Sequence, residues 1–109
     1  MYVITREDIS AGYQGVQSIH AAMQFAFEHP DINREWFEKS NYLGFLSVPN
    51  EYELNKLVEK ALLLGIAVSV FKEPDVDNQV TAIALAPGVQ SKKLCSNIGL
   101  ALKERSAKK

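Results

Sequence analysis

The sequence is poor in the features that mark secreted and membrane proteins. Its 109 residues include a single cysteine, Cys95, so no internal disulfide can form. No apolar run approaches the roughly 18 residues that span a bilayer, and residues 1–20 lack the apolar core of a signal peptide. The apolar fraction of 47% and the charged fraction of 23% are ordinary for globular proteins, which argues against a disordered or fibrous chain. We therefore expect one cytoplasmic globular domain, because so short a chain cannot supply two cores.

The net charge is also low, at −1, but it hides an asymmetry along the chain. Residues 1–91 contain six basic and twelve acidic side chains, whereas residues 92–109 contain six basic side chains and one acidic side chain, Glu104. A basic end on an acidic body is a weak indication of phosphate binding, and it is also typical of a solvated terminus. We expect a single domain over residues 1–103 and a disordered basic tail over residues 104–109.

The order of apolar patterns predicts an α/β fold. Runs rich in β-branched residues predict strands over residues 1–5, 42–48, 66–71 and 81–86. Helical patterns cover residues 13–28, 31–39, 50–64 and 91–97. This alternation predicts a mixed four-stranded sheet in a three-layer α/β/α sandwich. Strands two and three should run parallel through a right-handed crossover, and strands three and four should form either a long hairpin or a shift across the sheet.

Two predicted helices carry an apolar face that we expect to pack on the sheet. In the first helix these residues are Val16, Ile19, Met23, Ala26 and Phe27. In the third helix they are Leu54, Leu57, Val58, Ala61 and Leu62. Asn50 is a predicted cap of the third helix and Gly65 its end, and Asp31 is a possible cap of the second helix.

Candidate functional residues lie at the ends of the predicted elements. The sequence lacks the phosphate-binding, dinucleotide-binding, metalloprotease and nucleophile-elbow motifs. Gln17 and His20, three residues apart, share one face of the first helix. Glu73, Asp75 and Asp77 follow the third strand, where ligand sites of α/β proteins are common, and Thr81 opens the fourth. A hydrogen-bonded structural histidine and an ordinary acidic turn explain the same residues without a function.

Neither a metal nor another cofactor is expected. His20, Glu73 and Asp75 would be three possible metal ligands, but nothing in their spacing requires a metal. Cys95 has no histidine near it in sequence, so we interpret it as a small apolar residue in a helix rather than as a nucleophile.

Several of these segments, taken in order, carry a family resemblance. Residues 17–22, Gln-Ser-Ile-His-Ala-Ala, resemble the Gln-x-x-His-Ala segment in the first helix of peptidyl-tRNA hydrolases of the archaeal and eukaryotic type, the second type. Residues 81–87, Thr-Ala-Ile-Ala-Leu-Ala-Pro, resemble that family's Thr-Val-Leu-Ala-Ile-Gly-Pro strand. Residues 43–48 and 64–69 follow the family's order and lengths. The resemblance extends from Tyr2 to Pro87, about four fifths of the chain, and suggests a divergent member.

The sequence departs from the family pattern at the expected site. Tyr13 stands where the family carries a lysine, seven residues before His20. The family's acid after the third strand is matched by either Glu73 or Asp75. The segment between Glu73 and Thr81 is about four residues shorter than the family's loop, whereas the threonine itself is kept.

The resemblance implies hydrolysis of the ester between a peptide, or an N-blocked amino acid, and the 3′ ribose of tRNA. The carboxylate of Asp75 or Glu73 would position or activate water together with Thr81, and His20 and Tyr13 complete the implied catalytic group. We expect Gln17, Arg6, Lys92 and Lys93 to bind the substrate, the two lysines because they begin the basic end of the chain. Arg6 or the hydroxyl of Tyr13 would replace the missing lysine. The resemblance also implies a homodimer.

Two other interpretations stay open at this point. A catalytically impaired relative would bind tRNA or a protein without hydrolysis, which the tyrosine at position 13 and the short loop favour. A regulatory domain that binds a small molecule would have no RNA partner.

Overall fold

The computed structural model describes residues 1–103 and places four strands and four helices in them. The strands are β1 (Tyr2–Arg6), β2 (Gly44–Val48), β3 (Val68–Glu73) and β4 (Gln79–Leu85). The helices are α1 (Ala11–Glu28), α2 (Pro30–Lys39), α3 (Glu51–Leu63) and α4 (Val89–Leu94), and a single 3-10 turn (Pro74–Val76) separates β3 from β4. The predicted basic tail over residues 104–109 lies outside the described residues.

The strands form one mixed sheet in the order β2-β1-β4-β3. β1 and β2 are parallel, with Ile4 opposite Leu46, and β4 is antiparallel to both of its neighbours. The predicted mixed four-stranded sheet is therefore confirmed. β2 and β3 point the same way, as predicted, although β1 and β4 lie between them. β3 and β4 form a hairpin, which decides between the two predicted connections.

Helices cover both faces of this sheet. Val3 of β1 and Phe45 of β2 line a groove together with Ser18 and Ile19 of α1. On the other face, Val48 of β2 lines a groove together with α3 and the segment after α4. Because side chains alternate along a strand, α1 and α3 lie on opposite faces, as the three-layer prediction required.

The predicted orientation of α1 is wrong. Its expected apolar face points outward, with Val16, Ile19, Met23 and Phe27 exposed by 50–86% and Ala26 partly exposed. The face against the sheet instead carries Gln14, Gln17, Ser18, Ala21 and Phe25. Hydrogen bonding explains how amides can occupy it, because the Gln14 side chain donates to the Ile9 carbonyl, and both the nitrogen and the oxygen of the Gln17 side chain have a partner in the site described below.

The predicted orientation of α3 is mostly confirmed. Leu54, Leu57 and Ala61 are buried, whereas Leu62 is 63% exposed and was wrongly placed in the core. Asn50 caps the helix as predicted, because its side-chain oxygen accepts the Glu53 N–H at 3.1 Å. Gly65 ends it with φ of +73°, a left-handed conformation that glycine adopts without a steric penalty.

The predicted cap of α2 is wrong as well. The helix starts at Pro30, whose fixed φ suits the first helical position, and His29 occupies the cap position. Asp31 therefore lies inside the first turn, where its negative charge still interacts favourably with the positive end of the helix dipole. Among residues 1–103, no helix combines the length and apolarity needed to cross a membrane.

Candidate active site

A chain of hydrogen bonds joins α1, β3 and β4 at one end of the sheet. The side-chain amide of Gln17 donates to Oε1 of Glu73 at 3.0 Å, and its oxygen accepts from the Thr81 hydroxyl at 2.9 Å. The Thr5 hydroxyl donates to the Thr81 carbonyl at 2.9 Å. Gln17, Thr81 and Thr5 are buried, whereas Glu73 is partly exposed. These hydrogen bonds thus link the core to a carboxylate that solvent can reach.

A β-bulge gives Thr81 its position. Phe71 pairs with Ala82 and the next residue, Lys72, pairs with Val80, so Thr81 is an extra residue in β4. Such an insertion locally re-aims a side chain and is common beside active sites. The predicted strand ends missed it, because β3 continues to Glu73 and β4 begins at Gln79 rather than at Thr81.

The fold fixes the carboxylate of Glu73 more firmly than that of Asp75. Oε2 of Glu73 accepts the backbone N–H of Asp75 at 3.1 Å, and Oε1 accepts from Gln17. The Asp75 N–H, the Gln17 amide and the nearby His20 together hold the pKa of Glu73 below its usual value. Asp75 is exposed in the 3-10 turn, and Asp77 behind it takes a left-handed φ of +54°. Asp75 thus contributes its backbone, while Glu73 presents the oriented carboxylate.

Two aromatic side chains of α1 flank this carboxylate. Tyr13 lies one turn before Gln17 and is partly exposed. Partial desolvation, followed by the negative charges of Glu73 and Asp75, raises the pKa of its phenol. His20 lies almost one turn after Gln17 and stacks on Phe71, with the ring centroids 4.6 Å apart and the planes 6° from parallel. Three of the predicted catalytic residues, Tyr13, His20 and Glu73, therefore line one stretch of surface.

Arg6 is engaged elsewhere. Its guanidinium bonds both oxygens of Asp8, at 2.7 and 2.9 Å, and also the side chain of Gln79. The hydrogen bond that Arg6 donates to Asp8 is the main reason why the pKa of Arg6 is raised, with a further contribution from the charge of Glu51 at the start of α3. Along β1 Arg6 follows the alternation of Ile4, toward the α3 face, whereas Thr5 faces α1. The expected replacement of the family lysine by Arg6 thus finds no support in this geometry.

Lys92 and Lys93 lie far from Glu73. Lys92 lines a groove with Met1 and Tyr2, at the start of β1, whereas Thr81 directly precedes Ala82, which pairs with Thr5 near the end of that strand. About 13 Å separates the two ends of β1, at roughly 3.3 Å per residue. The structure therefore does not bring these two lysines to the catalytic group.

Two further predictions concern metals and cysteine chemistry. Within residues 1–103, no three His, Cys, Asp or Glu side chains come together in a way that could hold a metal ion. Cys95 is 5% exposed, and burial raises the pKa of its thiol to about 11, so the reactive thiolate is scarce at neutral pH.

Two residues of the site escaped the sequence reasoning. Phe71 was interpreted only as the end of a strand, although its alternation with Glu73 along β3 could have placed both on one face. Thr5 was read only as part of a β-rich run, and a hydroxyl in an otherwise apolar strand was the available signal.

One comparison with known proteins matches nearly all of this structure. A family model described as Peptidyl-tRNA hydrolase PTH2 matches residues 1–102.

Proposed function

The chain belongs to the Peptidyl-tRNA hydrolase PTH2 family, and on this premise we propose that it hydrolyses the ester between a peptide, or an N-blocked amino acid, and the 3′ ribose of tRNA. The observation that carries the proposal is the carboxylate of Glu73, which two neutral donors orient at the edge of a partly exposed aromatic surface. We place the reaction in the cytoplasm, because tRNA substrates are found there and its reducing conditions suit an unpaired cysteine.

Glu73 acts as the general base in this proposal. Each of its oxygens accepts one hydrogen bond from the protein and keeps a second lone pair for water. Glu73 takes a proton from that water while the oxygen of the water forms a bond to the ester carbonyl carbon. The tetrahedral intermediate then releases the ribose 3′ oxygen, which receives the proton from Glu73. Because a lowered pKa makes Glu73 a weak base, we assign much of its effect to positioning the water.

Tyr13 supplies a donor for the developing oxyanion. Partial desolvation, followed by the charges of Glu73 and Asp75, raises the pKa of its phenol, so the hydroxyl stays protonated at neutral pH. A neutral phenol stabilises an oxyanion less than an ammonium group does, since hydrogen bonds with an ionised donor are stronger. Slow turnover is therefore expected of this protein.

The remaining residues position these groups or the substrate. Gln17 and Thr81 hold Glu73 from inside the core and do not reach solvent, so they are positioning residues. The Asp75 backbone holds the other oxygen of Glu73. Lys92 and Lys93, remote from the ester, are assigned to phosphates along the tRNA.

Release of N-acetylaminoacyl groups from tRNA tests the reaction. Wild-type protein should accelerate release over buffer, and Glu73→Gln should lower the rate by about 10²- to 10⁴-fold, the usual contribution of a general base. Asp75→Asn is the matched control, because it keeps the backbone N–H that Glu73 uses and should change the rate little. A larger loss in Asp75→Asn than in Glu73→Gln would reverse our assignment of the base.

A second candidate function rests on the neutralised Arg6. Because Asp8 takes up its charge and Tyr13 stands in place of the family lysine, no lysine or arginine among residues 1–103 forms an ion pair with Glu73. Such a protein could bind tRNA without hydrolysing its ester. Release no faster than in buffer, combined with salt-sensitive tRNA binding, would establish this alternative in place of the hydrolase.

We also propose a homodimer that uses the outer face of α1. Val16, Ile19, Met23 and Phe27 form an exposed apolar row there, beside a groove lined by Gly15, Ala22 and Phe45. The helix has one carboxylate, Glu28, and no lysine or arginine. Two identical surfaces can meet about a two-fold axis only if their charges do not repel, and this nearly uncharged face meets that condition. The large side chains of one copy would fill the groove of the other.

A further inference from the structure

The stacked pair of His20 and Phe71 lies at the surface between α1 and β3, with the Phe71 ring packed against the core and His20 outside it. Ser69, Phe71 and Glu73 alternate along β3 and contact Glu28, His20 and Gln17 of α1 in turn. Hydrogen bonds from Ser69 to Glu28 and from Gln17 to Glu73, at 2.6 and 3.0 Å, already join helix and strand on both sides of the pair. His20 is exposed and lies outside the core. Its flat contact with Phe71 therefore widens a surface rather than filling the interior.

The pair has the geometry of a platform for a planar ring. The two rings are within 6° of parallel, so they present a single stacking direction. Nucleic-acid-binding proteins use exposed aromatic rings and histidines in this way, because every base has a face that stacks. Phe71 precedes Glu73 by two residues on the same strand, a displacement of about 6.6 Å at the usual rise. A base on the platform would thus be adjacent to the ester bond that Glu73 attacks.

We propose that His20, supported by Phe71, stacks the base of the terminal adenosine of tRNA. This inference rests on the proposed function, since the ester is carried by the ribose of that same nucleoside. A base held here fixes the ribose, and with it the carbonyl carbon, next to the water on Glu73. The platform recognises the tRNA end and is not specific for the attached peptide.

Binding of short oligonucleotides tests the platform without any hydrolysis. The probes are the trinucleotide CpCpA and the same molecule with an abasic 3′ residue, titrated against the full chain and followed by NMR of the His20 and Phe71 rings. For wild type we expect ring-current shifts at both residues with CpCpA only, and weaker binding of the abasic probe. His20→Ala should weaken CpCpA binding by about 5- to 150-fold, the range found when one stacking side chain is removed.

A second variant separates stacking from any role of the imidazole nitrogens. His20→Phe keeps a flat ring and should retain preference for CpCpA over the abasic probe, whereas Tyr52→Ala removes an exposed aromatic side chain of α3 and should leave binding unchanged. Equal binding of both probes by wild type, or loss of the preference in His20→Phe, would overturn the platform. Hydrolysis is measured separately, so the platform and the hydrolase can each fail while the other stands.

Discussion

Gln17 is the residue on which the candidate site depends most, because its amide satisfies two elements at once. Its nitrogen bonds the partly exposed carboxylate of Glu73, and its oxygen accepts from the fully buried hydroxyl of Thr81. The hydrogen-bond donors of the site are thus neutral groups, and the one nearby arginine is bound by Asp8. A buried amide of this kind stabilises the fold only while both of its partners remain.

Replacing Gln17 by leucine should therefore destabilise the protein by about 1–3 kcal/mol, the usual cost of an unsatisfied buried polar group. The Thr81 hydroxyl would lose its acceptor where no water reaches it. Urea unfolding measures the loss, and Gln24→Leu is the control, because Gln24 bonds Glu28 and the Val70 carbonyl from a partly exposed position. Adding Thr81→Val to Gln17→Leu should restore part of the stability. No recovery in that double variant would contradict the explanation.

The acid side of the pH–rate profile should report the same hydrogen bonds. The pKa of Glu73 lies below the ordinary value of 4.5, because the Asp75 N–H and Gln17 favour the ionised form. The base is thus active above its lowered pKa, and activity is lost as the pH falls through that value. Removing Gln17 takes away one donor and raises the pKa, so the acid limb of kcat/KM should move to higher pH in Gln17→Leu. An unchanged limb would show that Glu73 is not the titrating group.

At the scale of elements, α1 shows what a sequence pattern can and cannot predict. Helical periodicity correctly predicted the helix, but the most apolar row faces outward and an amide-rich row faces the sheet. The more apolar face of a helix is the buried one only when the polar residues of the other face lack hydrogen-bond partners inside the protein. Gln17 has such partners, but they lie on strands far away in sequence. The order of strands and helices, the cap by Asn50 and the end at Gly65 depend on local signals and were predictable.

The bulge at Thr81 is a feature that local sequence signals cannot predict. It exists because β4 has one residue more than β3 between two pairs of the ladder, and this count depends on register. The sequence therefore placed Gln17, His20 and Thr81 on the right elements, and Glu73 just after β3 rather than at its last residue, without showing which groups bond. It also left Glu73 and Asp75 equivalent, because only the turn geometry makes Asp75 a backbone donor.

The end of α3 offers a test of an element boundary. Gly65 adopts φ of +73°, and an added Cβ would meet no atom within 4 Å. Gly65→Ala should therefore cost about 1–2 kcal/mol through backbone conformation alone. Gly15→Ala in the middle of α1, where space is also open, should instead stabilise the folded monomer by about 0.5–1 kcal/mol. Thermal unfolding at low protein concentration compares the two variants, and equal signs would contradict this account.

For the molecule as a whole, charge and apolar surface are separated in space. Lys92 lies near the start of β1, at the opposite end of the sheet from Glu73, so a bound tRNA would have to extend along the protein to meet both. The outer face of α1 is nearly free of charge and runs beside the site, since Tyr13 and His20 occupy the same helix. An assembly through this face would therefore bring two sites close to the interface.

The proposed homodimer through the outer face of α1 can be tested directly. Wild-type protein should sediment as a dimer, and its Tm should rise with protein concentration, because association stabilises only the folded state. Ile19→Glu places a carboxylate in the middle of the proposed interface and should raise the dimer Kd at least 100-fold, since an unpaired buried charge costs about 3–5 kcal/mol. Leu63→Glu is the matched control, because Leu63 is 86% exposed on α3, away from the α1 face. A monomeric wild type, or dissociation by Leu63→Glu with Ile19→Glu still dimeric, would rule out α1 as the interface.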